Sequence, residues 1–226
     1  ILIEIGTDRI GFGYERLGDQ FRAKNIASKT LSEIQAWLES NLPEYWNIQG
    51  TLGALAALIP EIHHVELIEL ASSSNSKPQF SSHPELTESF LQSLTERSCT
   101  SIRETTKALV VELLTSSDWA AETTFQLLRL ACVPGHALNG RWLHNFLGSL
   151  SISDRDASWS TFLINALESD KQSPIRILIN WAWPLDSKEE IAPDTETATL
   201  AVLALGWMLT TPDNRVRDNA TKALVS

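Results

Sequence analysis

Apolar residues recur along this chain at spacings of three and four, and each block is bracketed by residues that start or stop a helix. Thr30-Leu-Ser-Glu33 is a capping box that opens a helix carrying Leu31, Ile34, Trp37 and Leu38, and Pro43 closes it. Leu52, Leu55, Ala56 and Ile59 mark the next helix, ended by Pro60, and a short helix follows over residues 65–71. Pro84 at a first helical position starts another, running to about Arg97. Ser101-Ile-Arg-Glu104 reads as a second capping box ahead of Leu109, Val110, Leu113 and Leu114. Asp118 caps a helix with Phe125, Leu128 and Leu130, which Pro134-Gly135 breaks; Trp142, Leu143, Phe146 and Leu147 form the next apolar face.

The last third repeats the pattern most densely. Trp159, Phe162, Leu163, Ala166 and Leu167 lie at helical spacing. Ser173-Pro174 opens a helix with Ile175, Leu178, Ile179 and Ala182 on one face, stopped by Pro184. Pro193 opens the longest helix, predicted to turn Leu200, Leu203, Ala204 and Trp207 inward, with Trp207 buried against the helix of residues 175–182 and the last one. Thr211 or Asp213 caps that last helix, whose stripe is Val216, Ala220, Ala223 and Leu224. The fold expected is all-α, a HEAT-like helical-repeat solenoid of about ten helices joined by short connections. Internal repetition is faint: Ile102–Val110 resembles Val216–Val225 with one residue of slippage, and the small alanines of the second copy suit close helix approach.

Two stretches depart from the helical period. Residues 1–5 and 9–12 are β-prone runs around Gly6-Thr7-Asp8 and predict a short N-terminal β-hairpin, with helical pattern from Tyr14 through Leu17, Phe21 and Ile26. Residues 72–83, SSSNSKPQFSSH, read as a loop that could separate two sub-bundles. The organisation expected is therefore residues 1–27 leading into the first helix, and residues 28–226 as a helical-repeat domain with a break at 72–83.

Composition narrows the function classes. The formal net charge of -10, with no run of Lys and Arg, disfavours a nucleic-acid surface. No apolar run is long enough to span a bilayer. The two cysteines, Cys99 and Cys132, form no paired motif, which fits a reducing, cytoplasmic setting. The opening ILIEIGTDRI has no initiator Met and no signal-peptide pattern, and reads as the middle of a longer chain.

Chemical motifs are absent. There is no G-x-x-x-x-G-K-[ST], H-E-x-x-H, C-x-x-C or G-x-S-x-G, so no catalytic, cofactor-binding or metal-ligating residue is assigned and an enzyme is not expected. Cys132, His136 and His144 come nearest to a ligand set, but their spacing fits no common zinc pattern; a small core cysteine and a loop histidine explain them better. Arg155 and Arg217 read as members of structural ion pairs. Tryptophans at helical spacing among aliphatic residues read as core, with one exception. Trp183, beside Pro184 and off the stripe of Ile175 and Leu178, is the candidate exposed aromatic of a protein-binding surface.

Two ends of the chain carry a family resemblance. DRIGFGYERLGDQFRAKNI (residues 8–26) resembles the segment closing the winged-helix region of NACHT-type STAND ATPases. PGHALNGRWLHNFLGSLSISDRDASWSTFL, RILINWAWP, LALGWMLTT and RVRDNATKALV resemble the helical region downstream of the ATPase in large bacterial proteins of that class, including Avs-like antiphage defence proteins. The middle of the chain matches poorly. The resemblance implies a ligand-sensing or regulatory segment of a larger ATPase, with the nucleotide site outside this chain. Its partner would be a protein, often a phage protein in that family, and oligomerisation would run through the parent. The alternatives are a generic HEAT-like protein-interaction scaffold unrelated to an ATPase and, from another class, a helical hydrolase.

Overall fold

The computed structural model describes residues 2–4, 10–12, 15–71, 80, 82–169, 173–182 and 194–225. Apart from the connecting turns these are helical, except for Leu2–Glu4 (β1) and Ile10–Phe12 (β2), whose backbones pair antiparallel with Leu2 opposite Phe12. The turn expected at residues 6–8 lies outside the described residues. The chain divides into two compact units, Ile1–Thr106 and Lys107–Ser226. The division does not fall at the serine-rich stretch 72–83, because the helix beyond that stretch packs back onto the helices before it.

In the first unit, Glu15–Ala27 (α1), Leu31–Asn41 (α2), Gln49–Ile62 (α3), Leu67–Leu70 (α4) and Pro84–Ser93 (α5) follow in order. α1 packs on α3 and α3 on α5, while α2 packs on α4 and α4 joins both α3 and α5. α3 takes the middle because its sequence, GTLGALAALI, is apolar around most of its circumference and small enough for close approach. Leu52, Leu55, Ala56 and Ile59 are all buried on it. Pro60 does not end this helix as expected: it sits in the last turn, where its missing N–H costs one bond, and the helix runs on to Ile62, with the His63 N–H donating to the Ile59 carbonyl at 2.8 Å.

The Thr30 capping box forms: Thr30 Oγ1 accepts from the Glu33 N–H, and the Glu33 carboxylate accepts from the Thr30 N–H at 2.9 Å. The hydrogen bonds from Thr30 hold the Glu33 carboxyl below its ordinary range. The box expected at Ser101 and Glu104 does not form. Ser101 instead closes a 3-10 turn, Cys99–Ser101, by donating to the Ser98 carbonyl at 2.8 Å, and the following helix, Glu104–Leu114 (α6), begins at Glu104 itself.

A buried ion pair ties this unit together. The Arg97 guanidinium reaches both Glu66 carboxylate oxygens, at 2.7 and 2.9 Å, with both side chains almost fully enclosed. Arg97 Nε also donates to Ser93 Oγ at 3.0 Å, and the guanidinium lies 5.3 Å from the Phe90 ring centre. Thr106 Oγ1 donates to the same carboxylate. A buried charge is tolerable only when paired and hydrogen-bonded like this. The network fastens the start of α4, the end of α5 and the start of α6 to one another.

The second unit contains the rest of α6, then Ala120–Leu130 (α7), Gly140–Ser149 (α8) and Ile152–Arg155 (α9). A π-helical turn, Asp156–Ser160, leads into Thr161–Ser169 (α10), followed by Pro174–Ala182 (α11), Thr195–Met208 (α12) and Asn214–Val225 (α13). α12 packs on α8, α13 and α11, and α7 packs on α8 and α11. Gly140 permits the first of these contacts: a Cβ there would stand 2.9 Å from the carbonyl oxygens of both Ala131 and Leu200. Asn139 caps α8 through the Arg141 N–H at 3.0 Å.

Pro193, expected to open the long helix, lies outside the described residues. Asp194 caps α12, accepting from the Glu196 and Thr197 N–H groups at 3.0 Å each, and Asp213 caps α13. Arg215 donates to Asp213 from backbone and side chain, which draws the Asp213 carboxyl down to about 2. Thr211 is the partner of the cap, its hydroxyl accepting from the Asp213 N–H at 3.4 Å.

The buried face of α12 is Leu200, Ala201, Ala204, Leu205 and Met208. Trp207 therefore does not sit in the core against α11 and α13 as expected. It is half-buried on the α8 side, where its ring comes 3.9 Å from the Cβ position of Gly148. α12 is apolar on nearly every side, so its periodicity marks no single face. The core tryptophan is Trp159, 2% exposed, whose Nε1 donates to the Trp207 carbonyl at 3.0 Å.

Candidate interaction surfaces

Trp183, the aromatic singled out in the sequence, lies outside the described residues. Two apolar side chains of α11 ahead of it face solvent, Ile177 at 52% and Trp181 at 36% exposure, so this helix does carry apolar surface outside its core face. Val202 on α12 is also exposed. In the first unit the exposed aromatics are Tyr45 and Trp46, in the 3-10 turn Leu42–Asn47, with their rings edge to face at 5.9 Å.

The residues weighed as metal ligands are put to other uses. His136 is buried, and its Nδ1 accepts the Leu138 N–H at 3.1 Å, closing the loop between α7 and α8. Burial pushes the Cys132 thiol up to about 11, so it stays protonated at neutral pH and is a poor nucleophile. His144 stands on the exposed side of α8, its Nδ1 accepting from Trp207 Nε1 at 3.1 Å. Among the described residues no group of three or more His, Cys, Asp or Glu is arranged to hold a metal ion.

The two arginines expected in ion pairs are also placed differently. The Arg155 guanidinium lies 5.2 Å from the Trp207 ring centre, a cation–π stack. Arg217 donates to the backbone carbonyls of Thr211 and Pro212 and to Asn214, closing the chain entry into α13. Both act as struts.

Each unit has a cleft that the sequence reading did not foresee. In the first, about 560 Å³ opens over α3, with Gly50, Gly53 and Ala54 among its lining residues, Arg16 and Gln20 from α1, and Glu96 beyond α5. Arg16 and Glu96 pair at 2.7 Å, both exposed. In the second, about 580 Å³ lies among α7, α8 and the π-turn. Gly50 and Gly53, three apart on one helix, were a signal for the first. The second joins residues from six helical elements, α6 to α10 with the π-turn among them, and has no local signature.

No helix among the described residues is long and apolar enough to cross a membrane. Comparison with protein-family models, curated proteins and solved structures finds no match.

Proposed function

We propose that this chain is a protein-binding helical segment, the ligand-sensing or regulatory part of a larger STAND-type ATPase in bacterial defence against phage. The observation that carries the protein-binding reading is the packing order of residues 15–106, where α1 meets α3, α3 meets α5 and α2 meets α4. Helices that each meet the next but one along the chain are how stacked helix pairs of the HEAT-like kind build extended recognition surfaces, and a HEAT-like stack is the architecture proposed here. The buried polar groups support this reading, since Glu66, Arg97 and Thr106 serve one another and line neither of the two clefts described above. Exposed apolar side chains such as Ile177 and Val202 suit a protein partner. The ATPase link rests on the resemblance of residues 8–26, 134–163, 176–184, 203–211 and 215–225 to proteins of that class.

The test places a photo-crosslinking amino acid at Ile177 and at Val202, in the chain produced in its source cells, and identifies adducts by mass spectrometry. Discrete protein adducts are expected, together with no ATP turnover by the pure chain. Turnover that disappears on substituting a residue of this chain would reject the reading. A parent reading frame with no P-loop would leave protein binding in place, as a generic HEAT-like scaffold, and reject the ATPase link.

A further inference from the structure

The cleft of the second unit has a floor made of Phe146 and Leu150 at the end of α8, Phe162 on α10, and Ala120 and Ala121 on α7. Phe146 is held in place by Trp142, stacked on it with ring centres 5.6 Å apart and planes 1° from parallel. At about 580 Å³ the space falls in the range of sites that take one compact ligand group, roughly 300–1,000 Å³.

Its rim is rich in hydroxyls, yet these are already engaged. Thr115 donates to the Glu112 carbonyl at 2.9 Å and Ser158 to the Asp154 carbonyl at 2.8 Å. Thr161 donates to the Asp156 carbonyl at 3.4 Å, and Ser116 accepts from the Asp118 N–H at 3.3 Å. What the cleft offers an incoming group is therefore mainly apolar contact, with the exposed Asn165 amide at its edge. The π-turn contributes to this: one wide turn sends Trp159 into the core while Ala157 and Ser158, both small, line the cleft.

Charge at the mouth has one sign. Asp154 is the only charged residue in the lining, and Asp118 follows Ser117 of the rim directly. Both are exposed, and neither has an ion pair among the described residues. Arg155, the cation nearest in sequence to Asp154, is stacked on Trp207 instead.

We infer that this cleft takes an aliphatic or aromatic anchor side chain of a partner protein, carried on a segment with a lysine or arginine beside the anchor. The inference rests on the protein-binding reading and adds the site and the chemistry recognised there. The apolar floor supplies the attraction for the anchor, and Asp118 and Asp154 select a basic flank and repel an acidic one.

A random-peptide display library panned on the whole 226-residue chain is the probe. Enriched peptides are expected to share an apolar anchor next to Lys or Arg. Their binding should fall about tenfold or more on Ala121→Trp and on Ala157→Trp, each of which fills the cleft from an exposed position, and by about tenfold on Asp118→Lys with Asp154→Lys. Unchanged helical content and melting of the variants shows that the cleft, not the fold, was altered. Enriched peptides that lack a basic residue, or that bind both tryptophan variants as tightly as the parent, overturn the inference. So does a parent dimer that Ala121→Trp splits into monomers, since the occupant is then a second copy. Crosslinked partners at Ile177 or Val202 that survive both tryptophan variants leave the protein-binding reading standing while the cleft falls.

Discussion

Removing one partner of the Glu66–Arg97 pair should damage the first unit far more than removing both. Arg97→Met leaves a carboxylate enclosed with no cation beside it, held by the Thr106 hydroxyl and the capping box at the start of α4; Glu66→Leu leaves a guanidinium enclosed against Ser93 and Phe90. An uncompensated buried charge of this kind costs about 3–5 kcal/mol. A domain holds only about 5–15 kcal/mol in total, so either single variant should sit near the edge of folding. With a urea slope of about 1–3 kcal/mol/M for a unit of this size, the midpoint should fall by about 2 M.

The double variant replaces the pair with apolar groups. The two hydroxyls keep partners, Ser93 donating to the Phe90 carbonyl at 2.7 Å and Thr106 accepting from the Arg103 N–H at 3.2 Å. The double should therefore lie within about 1–2 kcal/mol of the parent, giving a coupling energy of several kcal/mol. Urea melts followed by circular dichroism at the helix band measure all four corners of the cycle. Singles that each cost less than about 1 kcal/mol, and add in the double, would mean that the pair behaves like an exposed one and the burial argument is wrong.

Trp159→Ala should cost about 3–5 kcal/mol by emptying the core of the second unit, while Trp207→Ala, which loses the His144 bond and the Arg155 stack, should cost about 1–2 kcal/mol; the same melts in the reverse order would mean the two faces are misassigned. Gly53→Ala should stabilise α3 by about 0.5–1 kcal/mol, because nothing stands within 4 Å of the added methyl. Gly50→Ala should show no such gain, since its methyl would meet Asp19 Oδ2 at 2.0 Å and displace the bond from Thr51; thermal melts giving equal gains for both would refute the placement of Asp19.

Several helix starts were legible in the sequence from local signals, although the caps expected at Ser101 and Asp118 did not form, the helix after Asp118 starting behind Trp119 with no side-chain cap. Thr30 with Glu33, Pro84, Pro174 and Asp213 each act within one turn of themselves, and a cap or a first-turn proline depends on little beyond that turn. The buried stripe of α11, Ile175, Leu178, Ile179 and Ala182, was legible for a related reason: on a helix with one apolar face, the 3.6-residue period alone assigns the inside.

Tertiary structure decided what that period cannot. α12 is apolar around its circumference, so only the neighbours α8, α11 and α13 determine that Met208 goes inward and Trp207 outward toward His144. Glu66 and Arg97 stand 31 residues apart, and Trp159 and Trp207 stand 48 apart; nothing within a turn of any of them records the partner. The clefts are the extreme case. Each is the space left among helices brought together from separate parts of the chain; Gly50 and Gly53 mark the first only as small residues on one helix, and nothing local marks the second.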